Sequence, residues 1–351
     1  MNNCKASTTI YNLSFAELTG FFLENNQKGY RAQQVWEGLY KKLYQSWNEF
    51  SNLPGDIRIF LDSKFHISSL NLKQKLVSLD SKTEKYLFEL PDGNPVESVL
   101  LYKRNRITCC ISTQSGCPVG CVFCATGLLG LNRNLTNGEI IDQLAILSRI
   151  AQERGSKVDN VVLMGMGEPL LNYENTLNAI RTFNSYKGLN LGARRITLST
   201  IGIPSGIEKL ASEGLQVNLA ISLHSADTSM RENLVPIAKK YTLSQIIDAS
   251  KKYIELTNRR ITFEYVMING VNDSPKDAKA LIYLIQGINC HVNLIPLNPN
   301  PHYAGDSSSL ETIKQFGNIL LAAGIPVTIR FSQGVDIQAA CGQLAARIEY
   351  Y

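Results

Sequence analysis

Three cysteines, Cys117, Cys121 and Cys124, lie within eight residues of one another in a C-x3-C-x2-C pattern. Thiolate groups are the protein ligands of iron–sulfur clusters and of many zinc sites. A structural zinc site usually takes four ligands from two well-separated pairs, and no second pair accompanies this triplet. Three thiolates leave one iron of a four-iron cluster open to a substrate or cofactor. The pattern therefore predicts a [4Fe–4S] cluster, and the alternative is a structural four-cysteine site that recruits Cys110.

The segments that must position these cysteines alternate between short apolar runs and amphipathic stretches of helical length. Seven runs are predicted as strands: Ile107–Ser112, Asn160–Met164, Arg195–Ser199, Val217–Leu223, Ile261–Met267, Val292–Leu297 and Val327–Phe331. The predicted helices between them include Thr136–Glu153, Thr242–Leu256 and Pro275–Ile285. Alternating strands and helices predict a parallel sheet with right-handed crossovers. Six or seven such units predict an α/β full or partial barrel, in which chemistry gathers at the C-terminal ends of the strands.

The first part of the chain is predicted as a separate helical unit. Residues 14–75 carry aromatic side chains at helix-like spacing, namely Tyr30, Trp36, Tyr40, Tyr44 and Trp47. Such a stripe is typical of a small helical core, and a stacking face for nucleic acid is the alternative. The pattern then changes to two strand-like runs separated by the turn Pro91–Asn94. The predicted domains are residues 1–75 (helical, accessory), 76–102 (a β-hairpin-like linker) and 103–351 (the core).

Composition limits the classes of protein to consider. The chain has 351 residues, eight cysteines and a formal net charge of +5, which is compatible with a nucleic-acid partner. No apolar run is long enough to cross a membrane, and the N-terminus carries no signal-peptide core. We therefore expect a cytoplasmic protein, in which cysteines serve metal binding or catalysis. Basic residues cluster at Lys103-Arg104 with Arg106, Arg194-Arg195, Lys239-Lys240, Lys251-Lys252 and Arg259-Arg260, and such pairs are more often solvated than bound to phosphate.

Polar residues follow several of the predicted strands. Gly167 and Glu168 come directly after one strand, where glycine allows close approach of a ligand and a carboxylate can bind an ammonium group. Ser199 and Ser222 end two others, where a hydroxyl can bind a ribose or a carboxylate. Asn298 follows a further strand between two prolines. For each residue the alternative is an ordinary structural role in a turn or strand end.

Taken together, these motifs resemble those of radical S-adenosylmethionine (SAM) enzymes, and more narrowly the RlmN/Cfr group of RNA adenine methyltransferases. The resemblance covers nearly the whole chain and includes the segments 110–136, 164–170, 198–200, 221–224, 293–299 and 339–344. It implies a radical SAM partial (βα)6 barrel with a small helical N-terminal domain that binds RNA. It also implies a [4Fe–4S] cluster on the cysteine triplet, two SAM molecules per turnover, and SAM contacts from Gly167, Glu168, Ser199, Ser222, Leu223, His224 and Asn298.

The same resemblance assigns chemical roles to residues outside the triplet. It implies that Cys341 receives a methyl group from one SAM, and that a radical generated from a second SAM activates this methyl for addition to adenine. Cys110 then releases the product by forming a transient disulfide with Cys341, and the adjacent Cys109 is the alternative for this role. Glu97 matches a proposed proton acceptor, although Cys110 is an alternative. On sequence alone, the cysteines could equally be buried apolar residues and Glu97 an exposed strand carboxylate.

The implied substrates are an adenine in the peptidyl-transferase centre of 23S rRNA and an adenine of tRNA. The implied partners are these RNAs and an electron donor such as flavodoxin or ferredoxin, and the protein is expected to be a monomer without membrane contact. Pro169 resembles the group that methylates C2 of adenine, since the Cfr type tends to have alanine at this position. Ser332 and Gln333 instead resemble the Cfr type, which methylates C8 and confers antibiotic resistance, because the C2 group usually has arginine where Gln333 stands. A non-enzymatic metal-binding RNA protein is the alternative from another class.

Overall fold

The computed structural model describes residues 8–103 and 106–345, and its first elements form a small helical unit. This unit contains β1 (Thr8–Thr9), α1 (Phe15–Glu24), α2 (Tyr30–Tyr40), α3 (Gly55–Asp62) and β2 (Phe65–His66). The aromatic stripe forms its core, since Trp36, Tyr40 and Trp47 are buried, whereas Tyr30 is 55% exposed. The predicted helical core is therefore confirmed for the buried members of the stripe.

The prediction of helix throughout residues 14–75 is wrong at its C-terminal end. Residues 65–66 form β2, and β3 (Asn71–Val77) is a strand that pairs antiparallel with β4 (Thr83–Glu89). β3 lies at the edge of a sheet and is exposed along most of its length. It therefore lacks the apolar stripe that distinguishes a strand from a helix in a sequence. Its lysines, Lys73 and Lys75, pair with carboxylates of β4 and suit a sheet edge that must resist further pairing.

The predicted linker, residues 76–102, is part of the main sheet. β4 pairs antiparallel with β5 (Pro95–Lys103), and β5 pairs antiparallel with β6 (Arg106–Cys110). β6 is the first strand of the core and pairs in parallel with the strand at residues 160–163. The antiparallel strands thus extend the core sheet on one side and place residues of β5 beside those of β6.

The core alternates strands and helices as predicted. After β6 come β7 (Gln114–Gly116), α4 (Ala125–Leu128), β8 (Leu131–Asn134), α5 (Asn137–Glu153), β9 (Asn160–Leu163), α6 (Tyr173–Asn184), β10 (Ile196–Thr200), α7 (Pro204–Ala211), β11 (Asn218–Ser222), α8 (Thr228–Leu234), α9 (Leu243–Thr257), β12 (Ile261–Met267), α10 (Pro275–Ile285), β13 (Cys290–Pro296), α11 (Leu310–Ala322) and β14 (Val327–Ile329). The described residues form a ten-stranded sheet in the order β14-β13-β12-β11-β10-β9-β6-β5-β4-β3. Strands β6 and β9 to β14 are parallel, and the seven predicted strands agree with them to within two residues at each end. This confirms the predicted α/β fold of six strand–helix units, to which β14 adds a further parallel strand.

A buried glutamine fixes the point at which β6 gives way to the cysteine loop. Gln143 on α5 is fully buried, and its Oε1 accepts hydrogen bonds from the Ser112 amide (2.9 Å) and the Ser98 hydroxyl (2.7 Å). Its Nε2 donates to the Ser112 carbonyl at 3.0 Å. The Ser112 hydroxyl in turn donates to the carbonyl of Glu97 at 2.6 Å. This network ties α5, β5 and the end of β6 together beneath the cysteines.

A buried carboxyl group joins the helical unit to the core. Oδ2 of Asp142, on α5, accepts hydrogen bonds from the Ser68 hydroxyl (2.9 Å) and the Ser69 amide (2.7 Å) in the segment between β2 and β3. Asp142 is 1% exposed, and burial raises its pKa to about 7. The Asp142 carboxyl is therefore protonated below neutral pH.

In the part of the chain that the structure describes, no helix has the length and apolar character needed to span a membrane.

Candidate active site

The cysteine triplet lies in a loop that glycine allows to turn tightly. Gly116, at the end of β7, has φ of 76°, and a Cβ there would lie 2.0 Å from the Gly130 carbonyl oxygen. The same carbonyl accepts a hydrogen bond from the Cys117 amide at 2.7 Å. As a result Cys117, Cys121 and Cys124 line one cavity at the C-terminal ends of the parallel strands, which we call the main cavity.

The three thiols form a donor set that suits a metal cluster. Burial raises the pKa of Cys117 to about 12 and also raises those of Cys121 and Cys124, and the charge of Cys124 raises the pKa values of Cys117 and Cys121 further. Thiolates can share this cavity only if a positive centre compensates their charge, as a bound metal does. Residues 8–103 and 106–345 contain no group of three or more His, Cys, Asp or Glu that could hold a metal ion as they stand. The fit to an iron–sulfur cluster therefore rests on the chemistry of three thiols in one cavity.

Gly167 and Glu168 line the same cavity, as the sequence suggested. Gly167 has φ of 100°, and a Cβ there would lie 2.5 Å from Cβ of Gln114. The Glu168 carboxylate accepts hydrogen bonds from the amides of Leu170 (3.0 Å) and Ile201 (2.8 Å), which fix its orientation. Burial raises the pKa of Glu168 to about 7. A cationic ligand would favour the ionised carboxylate, so this group is suited to an ammonium partner.

Of the other residues predicted to bind SAM, four line the main cavity and one does not. Ser199, Ser222, His224 and Asn298 line the main cavity. The Asn298 side-chain amide donates to the Cys341 carbonyl and to the Ser332 hydroxyl, each at 2.9 Å, so it also holds the C-terminal segment, residues 339–345. Leu223 is fully buried and does not line the cavity, so the cavity lining gives no support to a side-chain contact there.

His224 is a neutral, fixed side chain. It has φ of 61°, and its Nδ1 accepts a hydrogen bond from the Val266 amide at 3.2 Å. Burial, together with the charge of Arg231, lowers its pKa to about 3. The Nε2 atom therefore carries the proton. The side chain can donate one hydrogen bond but cannot act as a cation near neutral pH.

Cys341 and Cys110 meet at a second cavity, which we call the Cys110 cavity. Cys341 is exposed and lines both this cavity and the main cavity. Cys110 is 8% exposed, and burial raises its pKa to about 12, with a further rise from the charge of Cys341. Cys109 is fully buried and lines neither cavity, as expected for adjacent strand residues that point to opposite faces. Of the two neighbouring cysteines, the structure brings Cys110 to Cys341.

Glu97 is not an exposed strand carboxylate, so that alternative is wrong. It is 4% exposed because β4 and the C-terminal segment cover it. Its Oε1 pairs with Lys85 Nζ at 3.0 Å, and its Oε2 accepts from the Ala345 amide at 2.9 Å. It lines a third cavity, the Glu97 cavity, rather than the main or Cys110 cavity. The C-terminal segment separates these cavities, because Cys341 faces two of them while Gln343 and Ala345 face the third.

Three charged residues of the site escaped the sequence analysis. Arg231, on α8, is 1% exposed and donates to the carbonyls of Leu223 (3.1 Å) and Ile201 (2.6 Å), so it holds the ends of β11 and β10. Glu264 and Arg330 line the main cavity. The sequence pattern could have identified Glu264 and Arg330, since each is a single charged residue within or directly after an apolar strand. No such signal marks Arg231.

The basic pairs have mixed surroundings. Arg195 lies 3.7 Å from the Asp159 carboxylate, and Arg259 donates to the Val217 carbonyl at 3.1 Å, so both have partners within the chain. Lys103 lines the Cys110 cavity. Arg104 lies outside the described residues. Structural pairing therefore accounts for part of the basic set, and Lys103 is the member next to the candidate site.

Two stretches of the chain match known protein families. Residues 111–282 match the radical SAM superfamily, and residues 8–67 match the ribosomal RNA large subunit methyltransferase N-terminal domain. A protein of Thermotoga neapolitana is 48% identical over 95% of this chain and 96% of its own length, and one of Clostridium tetani is 45% identical over 96% of both. Both are named probable dual-specificity RNA methyltransferase RlmN. A solved radical SAM methyltransferase from Sphaerobacter thermophilus is 44% identical, with a TM-score of 0.95 over 97% of this chain and 100% of that chain.

Proposed function

We propose that this chain, which belongs to the RlmN family of radical SAM RNA methyltransferases, methylates C2 of adenine in 23S rRNA (adenosine 2503) and in tRNA (adenosine 37). The observation that carries the proposal is the position of Cys341, which lines both the cavity of the cysteine triplet and the cavity of Cys110. A thiol in this position can exchange a carbon unit with a cofactor on one side and with RNA on the other. Membership of a methyltransferase family leaves the non-enzymatic alternative without support.

The radical SAM family uses a [4Fe–4S] cluster and SAM, and the main cavity provides suitable side chains for both. We assign the cluster to Cys117, Cys121 and Cys124, and the SAM ammonium group to Glu168. When bound, the cluster supplies the electron that cleaves SAM reductively. Polar side chains around the cavity can bind the remaining hydroxyl and carboxylate groups of SAM, namely Ser199, Ser222, His224 and Asn298. In this proposal each turnover would use two SAM molecules, one as the methyl donor to Cys341 and one as the source of the radical.

Two thiols and one carboxylate complete the reaction in this proposal. The Cys341 sulfur accepts the methyl group as a thiolate. Loss of one hydrogen atom to the radical from the second SAM would leave a carbon radical on Cys341 that adds to C2 of adenine, and the adduct would give up one electron to the cluster and then the C2 proton. The Cys110 sulfur then attacks the Cys341 sulfur, so that a disulfide forms and the sulfur–carbon bond to the product breaks. The released carbon keeps the electron pair of that bond and takes up the Cys110 thiol proton to become the methyl group. Glu97 or Cys110 takes the proton that leaves C2. An external thiol reduces the disulfide, and an electron donor of the flavodoxin or ferredoxin type serves the cluster.

Glu97 is adjacent to the segment that carries the methyl group. Its carboxylate accepts a hydrogen bond from the Ala345 amide at 2.9 Å, four residues after Cys341. It does not line either cavity that contains Cys341, so it can receive the C2 proton only if the C-terminal segment shifts. Cys110 needs no such shift, because it already lines a cavity with Cys341.

Trapping of the covalent intermediate tests the proposal. Cys110→Ala leaves the cysteine triplet and Cys341 intact, so radical addition should proceed and release should fail. We expect RNA to accumulate in covalent linkage to Cys341, detected as a shifted band on a denaturing gel and as an RNA adduct on the C-terminal peptide. Cys109→Ala is the matched control and should turn over normally. Normal turnover of Cys110→Ala, or trapping by Cys109→Ala, would refute the assignment.

The position of the methyl group needs a separate measurement. Gln333 lines the Cys110 cavity at the place where the C2 group usually has arginine, which favours C8 as the alternative position. RNA treated with the wild-type enzyme can be digested to nucleosides and compared by chromatography with 2-methyladenosine and 8-methyladenosine. We expect 2-methyladenosine, and 8-methyladenosine would establish the Cfr type.

A further inference from the structure

We propose that the Cys110 cavity is the entrance for RNA, and that Phe331 at this cavity stacks on a base next to the target adenine. The inference rests on the proposed function, because it takes RNA as the substrate and Cys341 as the carbon carrier. The Cys110 cavity marks the face of the protein that contacts the RNA, and Phe331 is a residue that binds it.

Cys341 faces two different cavities, the main cavity and the Cys110 cavity. Met164, Arg330, Cys341 and Leu344 line both the main cavity and the Cys110 cavity, so the two cavities adjoin along this wall. The cysteine triplet and Glu168 lie on the main side, where the cofactor is expected. Cys110 lies on the other side. A base that is attached to Cys341 and then released by Cys110 must therefore be present on the Cys110 side.

The charge of the Cys110 cavity suits a polyanion. Lys103 and Arg330 line it, and among the described residues no Asp or Glu does. By contrast, Glu168 and Glu264 line the main cavity, and Glu97 lines the third. Arg330 also faces Glu264 on the main side, but the lining of the Cys110 cavity itself holds two cations and no carboxylate. Such a lining attracts phosphate groups, and contacts of this kind position RNA without reading its sequence.

The Arg330 guanidinium has N–H donors that can bind a phosphate group. In the described part of the chain its polar contacts are the sulfur of Met164 and Oε1 of Glu264, each 3.9 Å from its NH1 atom. Neither distance is that of a strong hydrogen bond, although a guanidinium group offers five N–H donors. Arg330 can therefore bind an additional acceptor at the junction of the two cavities.

Phe331 supplies an aromatic face at the same place. It follows β14, lines the Cys110 cavity and is 62% exposed. Other strongly exposed aromatic residues, Tyr186 and Tyr283, line none of the three cavities. A base displaced from its own stack is commonly bound on such a ring, whatever its identity. The combination of Phe331 with Lys103 and Arg330 favours RNA over an uncharged partner.

The first test compares aromatic and non-aromatic residues at position 331. Binding of a fluorescein-labelled tRNA transcript by anaerobic holoenzyme would be measured by anisotropy for the wild type, Phe331→Ala and Phe331→Trp. We expect Phe331→Ala to bind roughly tenfold more weakly and to raise KM for tRNA, whereas Phe331→Trp retains affinity. Tyr283→Ala, an exposed aromatic on α10, is the control and should behave as wild type. The Kd for SAM and the methylation of Cys341 should not change in any variant.

The second test concerns the phosphate contact. Lys103→Gln should reduce the slope of log K for tRNA against log salt concentration by about 0.7 to 0.9. Lys314→Gln, on α11, is the charge-matched control and should leave the slope unchanged. If Phe331→Ala and Lys103→Gln bind tRNA as wild type does, with the same KM and salt slope, the entrance is elsewhere. A wild-type enzyme that forms no methyladenosine would instead defeat the proposed function, so the two failures are distinguishable.

Discussion

Replacement of Asp142 by asparagine tests how the helical unit is held on the core. The Asp142 carboxyl is buried, and its pKa is raised from 3.8 to about 7 in the folded protein. The folded state therefore binds this proton more tightly than the unfolded state does. Stability from this group is fully present below pH 3.8 and is lost as the pH rises through about 7. Linkage over this interval gives a loss of about 2.5 kcal/mol between pH 5 and pH 8.

Asparagine is nearly isosteric with aspartic acid and keeps a carbonyl oxygen that can accept the hydrogen bonds from Ser68 and Ser69. It does not titrate. The free energy of unfolding would be measured by urea denaturation at pH 5 and pH 8 for the wild type and Asp142→Asn. We expect the wild type to lose about 2.5 kcal/mol more than the variant between the two pH values. Asp56→Asn, at an exposed position on α3, is the control and should lose as much as the wild type. An equal loss in the wild type and Asp142→Asn would refute the reasoning.

Other variants probe the candidate site. Cys124→Ala should abolish the broad charge-transfer absorption of anaerobically reconstituted protein, and a colourless, zinc-loaded wild type with full activity would contradict the cluster assignment. Peptide mass spectrometry should find a single methyl group on Cys341 in isolated protein, and normal activity of Cys341→Ala would exclude the proposed carrier. Lys85→Met leaves the buried charge of Glu97 without its cation and should lower the free energy of unfolding by about 3 kcal/mol, whereas a change below 0.5 kcal/mol would show that the pair is not stabilising. Gln143→Ala leaves the Ser112 amide and the Ser98 hydroxyl without their acceptor and should cost about 3 kcal/mol by urea denaturation, with full stability as the contrary result.

The sequence predicted the core sheet because its strands are buried on both sides. Parallel strands of this kind are short apolar runs between amphipathic helices, so composition alone marks them. Ile261–Met267 and Pro275–Ile285 form a strand and a helix with the predicted bounds. β3 could not be predicted from hydrophobic patterning, since an exposed edge strand has neither an apolar run nor a helical stripe. Its identity depends on pairing with β4, which residues 71–77 do not encode by themselves.

Residues of the candidate site could be predicted where they form a short sequence motif. They could not be predicted where their role depends on contacts with residues far away in the sequence. The cysteine triplet is contiguous, so its spacing alone identified it. The burial of Glu97 depends on Lys85 and on the C-terminal segment, and Ala345 is 248 positions away. Arg231 holds the ends of two strands through backbone carbonyls, which leave no trace in residue types. Residue types and spacing therefore predict candidate reacting groups more readily than the groups that hold them in place.

Cys341 lies on the wall between two cavities, and in the proposed reaction this position shortens the distance over which the carbon unit is carried. Many carriers of reactive groups are long, flexible arms that sweep from one site to another. In the proposed reaction the carrier is a single short side chain, and rotation about its Cα–Cβ bond from one staggered position to the next moves the sulfur by about 3 Å. Such rotations of exposed side chains take picoseconds to nanoseconds and require no movement of the backbone. Because the Cys341 carbonyl is held by Asn298, the pivot stays fixed while the sulfur turns.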